Sequence, residues 1–243
     1  MRDTGGHRLY FMLILQNQAN FWSVLLTCFL FLGCSNETEP GNPQGQATEA
    51  NNREPKTFRI LILGDSLTEG YGIAPQLAYP ALLEKELNNQ APSGHPPYKV
   101  INGGVTGSTT SGGASRISWY MKLPPDYLIV ALGGNDGLRG IPPEESKQNL
   151  RKIIIEAQNH GVPVSLAGMK LPPNYGPSYL KRFEDIFGEL AEELKIPLLP
   201  FLLEGVGGDP KMNLPDRIHP NPEGHQRICQ TVHQHLINHL IHN

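Results

Sequence analysis

The chain has 243 residues, of which 39% are hydrophobic and 18% are charged, and its formal net charge at pH 7 is −3. A length of this order accommodates one ordinary domain with additional segments, or at most two small domains. The acidic balance, with no basic stripe along the sequence, argues against a nucleic-acid partner.

The N-terminus carries the pattern of an export signal. Two basic residues, Arg2 and Arg8, precede two apolar blocks, Leu9–Leu15 and Phe21–Leu32. The second block is far shorter than the ~20 residues that a membrane-spanning helix needs, and it has the length of a signal-peptide core. We therefore predict a signal peptide over residues 1–33, which makes the mature protein an exported, periplasmic one.

The cysteines add a second prediction for this end of the chain. The apolar block runs into Leu32-Gly33-Cys34-Ser35, which resembles the bacterial lipoprotein processing site, where the cysteine becomes the acylated first residue. A lipid on Cys34 would anchor the protein to a membrane; a plain secretory signal and an uncleaved anchor are the alternatives. Cys28 and Cys229 complete neither a metal-ligand spacing nor a disulfide framework.

Residues 34–57 are rich in Asn, Gln, Glu, Pro, Gly and Thr and contain almost nothing apolar. Such a segment cannot bury enough surface to fold, so we predict a flexible polar tether here. The folded domain is then predicted to extend over residues 58–243.

After the tether, short apolar runs alternate with longer segments of helical pattern. Strands are predicted at Phe58–Leu63, Lys99–Asn102, Tyr127–Leu132, Val162–Ala167 and Pro197–Phe201. Helices are predicted near Tyr79–Asn89, Thr110–Met121, Glu144–His160, Tyr179–Lys195 and Pro222–Ile241, with Ser178 as the N-terminal cap of the fourth. The alternation predicts an α/β fold, a three-layer α/β/α sandwich around a parallel five-stranded sheet. Right-handed crossovers leave few topologies, of which we favour the flavodoxin-like strand order 2-1-3-4-5.

That strand order brings three polar, glycine-rich segments to one crevice. The switch point lies between strands 1 and 3, whose carboxyl ends carry Ser66 and Gly133–Asp136. Strand 2, beside strand 1, ends in Asn102–Thr109. Open α/β sheets bind their ligands at this edge, so the crevice is the predicted functional site.

Neither a cofactor nor a metal is expected. A dinucleotide site would need Gly-x-Gly-x-x-Gly after the first strand, and this sequence lacks it there. The C-terminal histidines His235, His239 and His242 would share one helix face. Because no carboxylate or cysteine stands beside them, we predict a solvated terminal helix rather than a metal site.

The crevice holds the groups that nucleophilic catalysis needs. A serine hydroxyl of ordinary pKa is a poor nucleophile and requires a base, usually a histidine that a carboxylate orients. Ser66 follows the first strand, and Asp216 and His219 stand three residues apart in a loop before the last helix. Donors to an oxyanion are available from the Ser66 N–H, a glycine N–H of the strand 2 loop and the Asn135 amide. Taken singly, these residues are equally typical of turns.

Taken together, four runs of the sequence resemble, in order and spacing, the four blocks of the SGNH (GDSL) hydrolases. The runs are Gly64-Asp65-Ser66-Leu67, the glycine loop ending in Gly107, Gly133-Gly134-Asn135-Asp136 and Asp216-x-x-His219. The resemblance covers about Phe58 to the C-terminus and is strongest to the bacterial arylesterase branch, which includes the thioesterase I/protease I/lysophospholipase L1 type. Gly104 is the alternative to Gly107 for the glycine of the second block.

The resemblance implies a role for each residue of the site. Ser66 would be the nucleophile, His219 its base, and Asp216 the carboxylate that orients the base. The oxyanion would accept from the N–H groups of Ser66 and Gly107 and from the side chain of Asn135. The family's chemistry requires no metal and no organic cofactor.

The resemblance also implies the class of substrate. Members of this branch accept aryl esters, acyl thioesters and lysophospholipids, which are therefore the expected small-molecule partners. Leu138, Ile141 and Tyr175 are predicted to form an apolar wall for the acyl chain. An acetyl-carbohydrate esterase of the same fold is the main alternative, and a non-catalytic, ligand-binding lipoprotein is a further one. The sequence leaves the oligomeric state open.

Overall fold

The computed structural model of the protein describes residues 56–241. The predicted signal peptide, Cys34, nearly all of the predicted tether and His242 lie outside the described residues. Among the residues that are described, no helix combines the length and the hydropathy that crossing a bilayer requires.

Five parallel strands form one sheet. They are β1 (Phe58–Gly64), β2 (Tyr98–Gly104), β3 (Tyr127–Ala131), β4 (Val164–Ala167) and β5 (Leu198–Leu199). Their order across the sheet is β2-β1-β3-β4-β5, which confirms the predicted flavodoxin-like topology. Gly64 is in register with Gly104 on one side and with Ala131 on the other, so the carboxyl ends of three adjacent strands lie level.

Helices cover both faces of the sheet. They are α1 (Ser66–Glu69), α2 (Tyr79–Gln90), α3 (Thr110–Tyr120), α4 (Gly134–Leu138), α5 (Pro143–Asn159), α6 (Pro177–Leu194) and α7 (Pro222–Leu236), the last continuing into a π-helical turn, Ile237–Ile241. Helix α2 packs against α7, whereas α3 and α6 both pack against α5. Right-handed crossovers place these two groups on opposite faces, which gives the three layers.

The core is centred on β1. Its residues Ile60–Leu63 have no exposed surface, because neighbouring strands and helices enclose them on every side. A strand buried on both faces needs a continuous apolar run rather than an alternating one, and the sequence supplies it. Cys229 on α7 is also buried.

Three local predictions were wrong. Helix α6 begins at Pro177, with Gly176 rather than Ser178 at its N-cap, because proline has no N–H to lose at a helix start and its fixed φ suits the first turn. Strand β5 is only two residues long. His235 is not solvated: it is 6% exposed and its Nε2 lies 2.8 Å from the Ser165 hydroxyl, so α7 turns this residue toward the sheet.

Candidate active site

The end of β1 turns directly into a helix and carries Ser66 at the sheet edge. Asp65 is the N-cap of α1, and its Oδ1 accepts a hydrogen bond of 3.0 Å from the Leu67 N–H. A Cβ on Gly64 would lie 2.0 Å from the Thr68 hydroxyl, so no larger residue fits before the turn. Ser66, the first residue of α1, is therefore held by both the strand and the cap.

The structure brings Ser66, His219 and Asp216 into one hydrogen-bonded chain. The His219 Nε2 lies 3.0 Å from the Ser66 Oγ, across 153 residues of sequence. The His219 Nδ1 lies 2.7 Å from the Asp216 Oδ2. Since a carboxylate only accepts, Nδ1 carries the ring proton and Nε2 is free to accept the proton of the Ser66 hydroxyl.

The loop before α7 holds the Asp216 carboxylate in place. Its Oδ1 accepts from the backbone N–H groups of Ile218, at 2.9 Å, and His219, at 3.0 Å. These hydrogen bonds, that from the His219 backbone first, lower the pKa of Asp216 to about 2. Asp216 is therefore ionised at neutral pH.

The backbone N–H groups of Ser66 and of Gly107, in the loop after β2, have no acceptor among the described residues. Gly107 has a φ of +75°, a conformation that glycine adopts without strain. The Arg139 Nη2 donates to the Gly107 carbonyl at 2.8 Å, which fixes the orientation of that residue.

The N–H of Gly104, the alternative glycine, already has an acceptor. It donates to the Asn102 Oδ1 at 2.9 Å. A Cβ at this position would lie 2.2 Å from the backbone nitrogen of Glu69, so the packing of β2 against α1 requires glycine there. Of the two candidate glycines, Gly107 is the one whose N–H has no acceptor among the described residues, and its contact with an oxyanion stays a prediction.

Asn135 lies on the third side of the crevice, at the start of α4. Its Nδ2 donates to the Asp65 Oδ2 at 3.2 Å and to the Ser108 carbonyl at 3.1 Å. Both contacts are long, and together they occupy both amide protons, so an oxyanion would compete for one of them. Asp65 is 1% exposed, and this burial raises its pKa to about 6 despite the hydrogen bonds from Leu67 and Asn135.

Comparison with known proteins agrees with this geometry. The model of the GDSL-like lipase/acylhydrolase family matches residues 62–227, about two thirds of the chain, including Ser66, Gly107, Asn135, Asp216 and His219. The chain belongs to this family.

Individual relatives of this SGNH hydrolase agree with the assignment. An arylesterase from Vibrio mimicus is 38% identical over 183 residues, 75% of this chain and 90% of that protein. The thioesterase 1/protease 1/lysophospholipase L1 of Escherichia coli strain K12 is 36% identical over 184 residues, 74% of this chain and 85% of that protein. A crystal structure of the esterase EstA from Pseudoalteromonas, inhibited by monoethylphosphonate, has a TM-score of 0.70 and 28% identity, covering 76% of this chain and 100% of that one. The chain is thus an ester or thioester hydrolase of the SGNH family.

The loops predicted to bind the acyl chain lie against each other. The Tyr175 hydroxyl donates to the Leu138 carbonyl at 3.0 Å, and the Tyr179 hydroxyl donates to the Ile141 carbonyl at 2.8 Å. Leu138 is 38% exposed, while Ile141 and Tyr175 are half-buried. The structure therefore brings these three residues together, and their contact with an acyl chain stays a prediction.

Sequence reasoning missed two side chains of the SGNH site. The ring of Tyr71 lies over the His219 imidazole, with centroids 4.5 Å apart. Asp65 joins the nucleophile segment to Asn135. Nothing in a single sequence points to Tyr71. Asp65 is part of the Gly64–Leu67 motif, but its role depends on the contact with Asn135, which only the structure reveals.

Proposed function

We propose that the protein hydrolyses carboxylic acyl esters and thioesters through a Ser66–His219–Asp216 triad. The observation that carries this proposal is the continuous chain of two hydrogen bonds, 3.0 Å from Ser66 Oγ to His219 Nε2 and 2.7 Å from His219 Nδ1 to Asp216 Oδ2. A nucleophile, a base and an orienting carboxylate in this order are what acyl transfer needs.

In the first half-reaction, the Ser66 Oγ attacks the acyl carbonyl carbon while its proton passes to the His219 Nε2. The carbonyl oxygen becomes an oxyanion, which the N–H groups of Ser66 and Gly107 and the Asn135 amide stabilise. The bond to the leaving group then breaks, and the proton on His219 passes to the departing alcohol or thiol. Ser66 is left as an acyl ester.

In the second half-reaction, water takes the position of the leaving group. His219 removes its proton, the resulting hydroxide adds to the acyl carbon, and the same donors hold the oxyanion. When the Ser66–acyl bond breaks, the proton on His219 returns to the Ser66 Oγ and the carboxylic acid is released. Asp216 stays ionised and stabilises the imidazolium in both halves.

The proposed substrates are aryl esters, acyl thioesters or lysophospholipids. The support is the apolar character of Leu138 and Ile141 and the names of the Vibrio and Escherichia relatives. A profile of p-nitrophenyl esters from C2 to C16 tests this. Activity that increases from C2 to medium or long chains supports an acyl-chain substrate, whereas activity on acetyl esters alone indicates the acetyl-carbohydrate alternative.

The catalytic claim is tested with a fluorophosphonate probe, which modifies an activated serine. We expect the wild-type protein to be labelled at Ser66 and the S66A variant to be neither labelled nor active on p-nitrophenyl butyrate. Ser111, an exposed serine at the start of α3, supplies the matched control, because S111A should leave labelling unchanged. An unlabelled wild-type protein would indicate a binding function without catalysis.

We further propose export to the periplasm and lipidation at Cys34, on the support of the N-terminal sequence pattern. Mass spectrometry of the mature N-terminus tests both points. A lipid-modified Cys34 that disappears in the C34S variant is expected. An unmodified N-terminus at another position would replace the lipid anchor with a plain secretory signal.

A further inference from the structure

Arg116, in the second half of α3, reaches under the crevice with its guanidinium group. Its Nη2 donates to the Gly64 carbonyl at 2.6 Å, and its Nη1 donates to the Ser108 hydroxyl at 2.5 Å. A longer contact of 3.4 Å runs from Nη2 to the Gly103 carbonyl. One side chain thus contacts the ends of β1 and β2 and the loop that follows β2.

The acceptors of Arg116 belong to the segments that carry the proposed oxyanion donors. Gly64 lies two residues before Ser66, and Ser108 directly follows Gly107. The carbonyl of Ser108 also accepts from the Asn135 amide at 3.1 Å. The guanidinium therefore joins the segment of the Ser66 donor directly to that of the Gly107 donor, and Ser108 connects both to Asn135.

The charge of Arg116 forms no ion pair, although the Asp65 carboxylate interacts with it at longer range and favours its charged form. Its acceptors are carbonyl and hydroxyl oxygens, and within residues 56–241 no carboxylate oxygen lies within 4.0 Å of its nitrogens. Its Nε is buried without a hydrogen-bond partner in the same part of the chain. An arginine keeps its proton in such surroundings, so a cation lies behind the donors. In a partly desolvated site its field favours a negative charge at the carbonyl oxygen of the substrate.

We propose that Arg116 is a positioning residue of the oxyanion hole, one that holds the Ser66, Gly107 and Asn135 donors in register and adds positive potential behind them. The inference rests on the proposed function. It predicts a loss specific to the tetrahedral intermediate, because ground-state substrate makes weaker demands on those donors than the oxyanion does.

The test compares two reversible inhibitors with the same alkyl chain. With a trifluoromethyl ketone, the Ser66 Oγ bonds to the carbonyl carbon, its proton passes to His219, and the ketone oxygen becomes an oxyanion in the hole. The matching methyl ketone binds without forming a stable adduct. The two inhibition constants are measured together with kcat and KM for the wild type and two variants. R116M removes the guanidinium and its charge from a side chain of similar length, and R116K keeps the charge but not the guanidinium.

Arg59 provides the matched control. It lies on β1, at the opposite end of the strand from Ser66, and its Nη1 likewise donates to two backbone carbonyls, those of Leu123 and Pro124, both at 3.2 Å. An R59M variant removes a similar backbone contact without touching the crevice. Thermal unfolding of all variants shows whether each is folded.

For R116M we expect kcat to fall about 100-fold with KM nearly unchanged, and trifluoromethyl ketone affinity to fall by about the same factor. Methyl ketone affinity should stay within about threefold, R116K should be intermediate, and R59M should match the wild type. Equal weakening of both ketones, or an R116M or R116K variant with wild-type kcat, would overturn the role of Arg116. If R116M does not fold, R116K alone decides. A wild type that hydrolyses no acyl ester would instead refute the proposed function.

Discussion

Two carboxylates flank the proposed catalytic pair, and the protein shifts their pKa values in opposite directions. The Asp216 side chain is 38% exposed, yet hydrogen bonds from its own loop lower its pKa to about 2. Asp65 accepts two hydrogen bonds, against three at Asp216, but it is 1% exposed and its pKa is raised to about 6. At Asp65 the loss of hydration on burial outweighs the hydrogen bonds, whereas at Asp216 the hydrogen bonds outweigh the loss of hydration.

In the proposed mechanism the two carboxylates serve different parts of the reaction. Asp216 contacts the proposed base, a residue three positions away. Asp65 contacts Asn135, the proposed oxyanion donor, 70 positions away. The proposal therefore assigns proton transfer to a short local motif and charge stabilisation to contacts that depend on the tertiary fold.

The largest expected effect lies on the Asp216 side. D216N keeps an acceptor for the two backbone N–H groups but no longer selects the imidazole tautomer, so kcat for p-nitrophenyl butyrate should fall by about 10⁴-fold. D209N is the control, because the Asp209 side chain lies in an exposed loop and accepts from the Lys211 N–H. A D216N variant with more than a tenth of wild-type kcat would show that Asp216 does not orient the base.

A smaller effect is expected on the oxyanion side. N135A should lower kcat about 100-fold, because it removes one donor to the oxyanion. D65N should lower kcat about tenfold, since its amide can still cap α1 but no longer offers Asn135 a lone pair. Because Asp65 acts through Asn135, the double variant should be close to N135A alone in steady-state kinetics. Losses that multiply would place Asp65 on an independent route.

The buried carboxylate also predicts a pH dependence of stability. In the folded protein Asp65 binds its proton more tightly than in the unfolded chain, so the free energy of unfolding falls as pH rises from about 4 to about 6. The shift corresponds to about 3 kcal/mol, fully lost above pH 6. Denaturant unfolding of wild type and D65N at pH 4 and pH 7 measures it: D65N should gain relative to wild type on going to pH 7. A difference that does not change with pH would contradict the burial argument.

The smallest expected effect concerns Tyr71, whose ring packs against the imidazole of the proposed base, His219. Y71L removes a ring that covers one face of His219, and kcat/KM should fall by no more than about tenfold. W119L is the control, because Trp119 is equally aromatic and 65% exposed but lies near the end of α3, away from the crevice. A Y71L loss as large as that of D216N would mean that Tyr71 touches the reacting atoms.

Features set by neighbouring residues could be predicted from the sequence, whereas contacts between distant residues could not. The run Phe58–Leu63 predicts a strand because consecutive apolar residues indicate burial on both faces. The contact of Asp216 with His219 is predictable because both residues stand in one turn. The contacts of Arg116 with Gly64 and of Asn135 with Asp65 cross 52 and 70 residues, and no local pattern encodes them. The start of α6 was misplaced because Gly176 and Ser178 are both acceptable caps, and Pro177 decides between them.

The direction of β1 has a practical consequence. The described chain enters the sheet at Phe58, and the seven residues of β1 separate that point from the turn to Ser66 by roughly 20 Å. Helix α7 starts at Pro222, just after the His219 loop, and its 15 residues carry the chain away again by roughly 22 Å. A bead, an electrode or a fusion partner joined at either end of this domain is therefore attached on the side opposite the crevice. We expect such an attachment to leave the crevice accessible to bulky substrates.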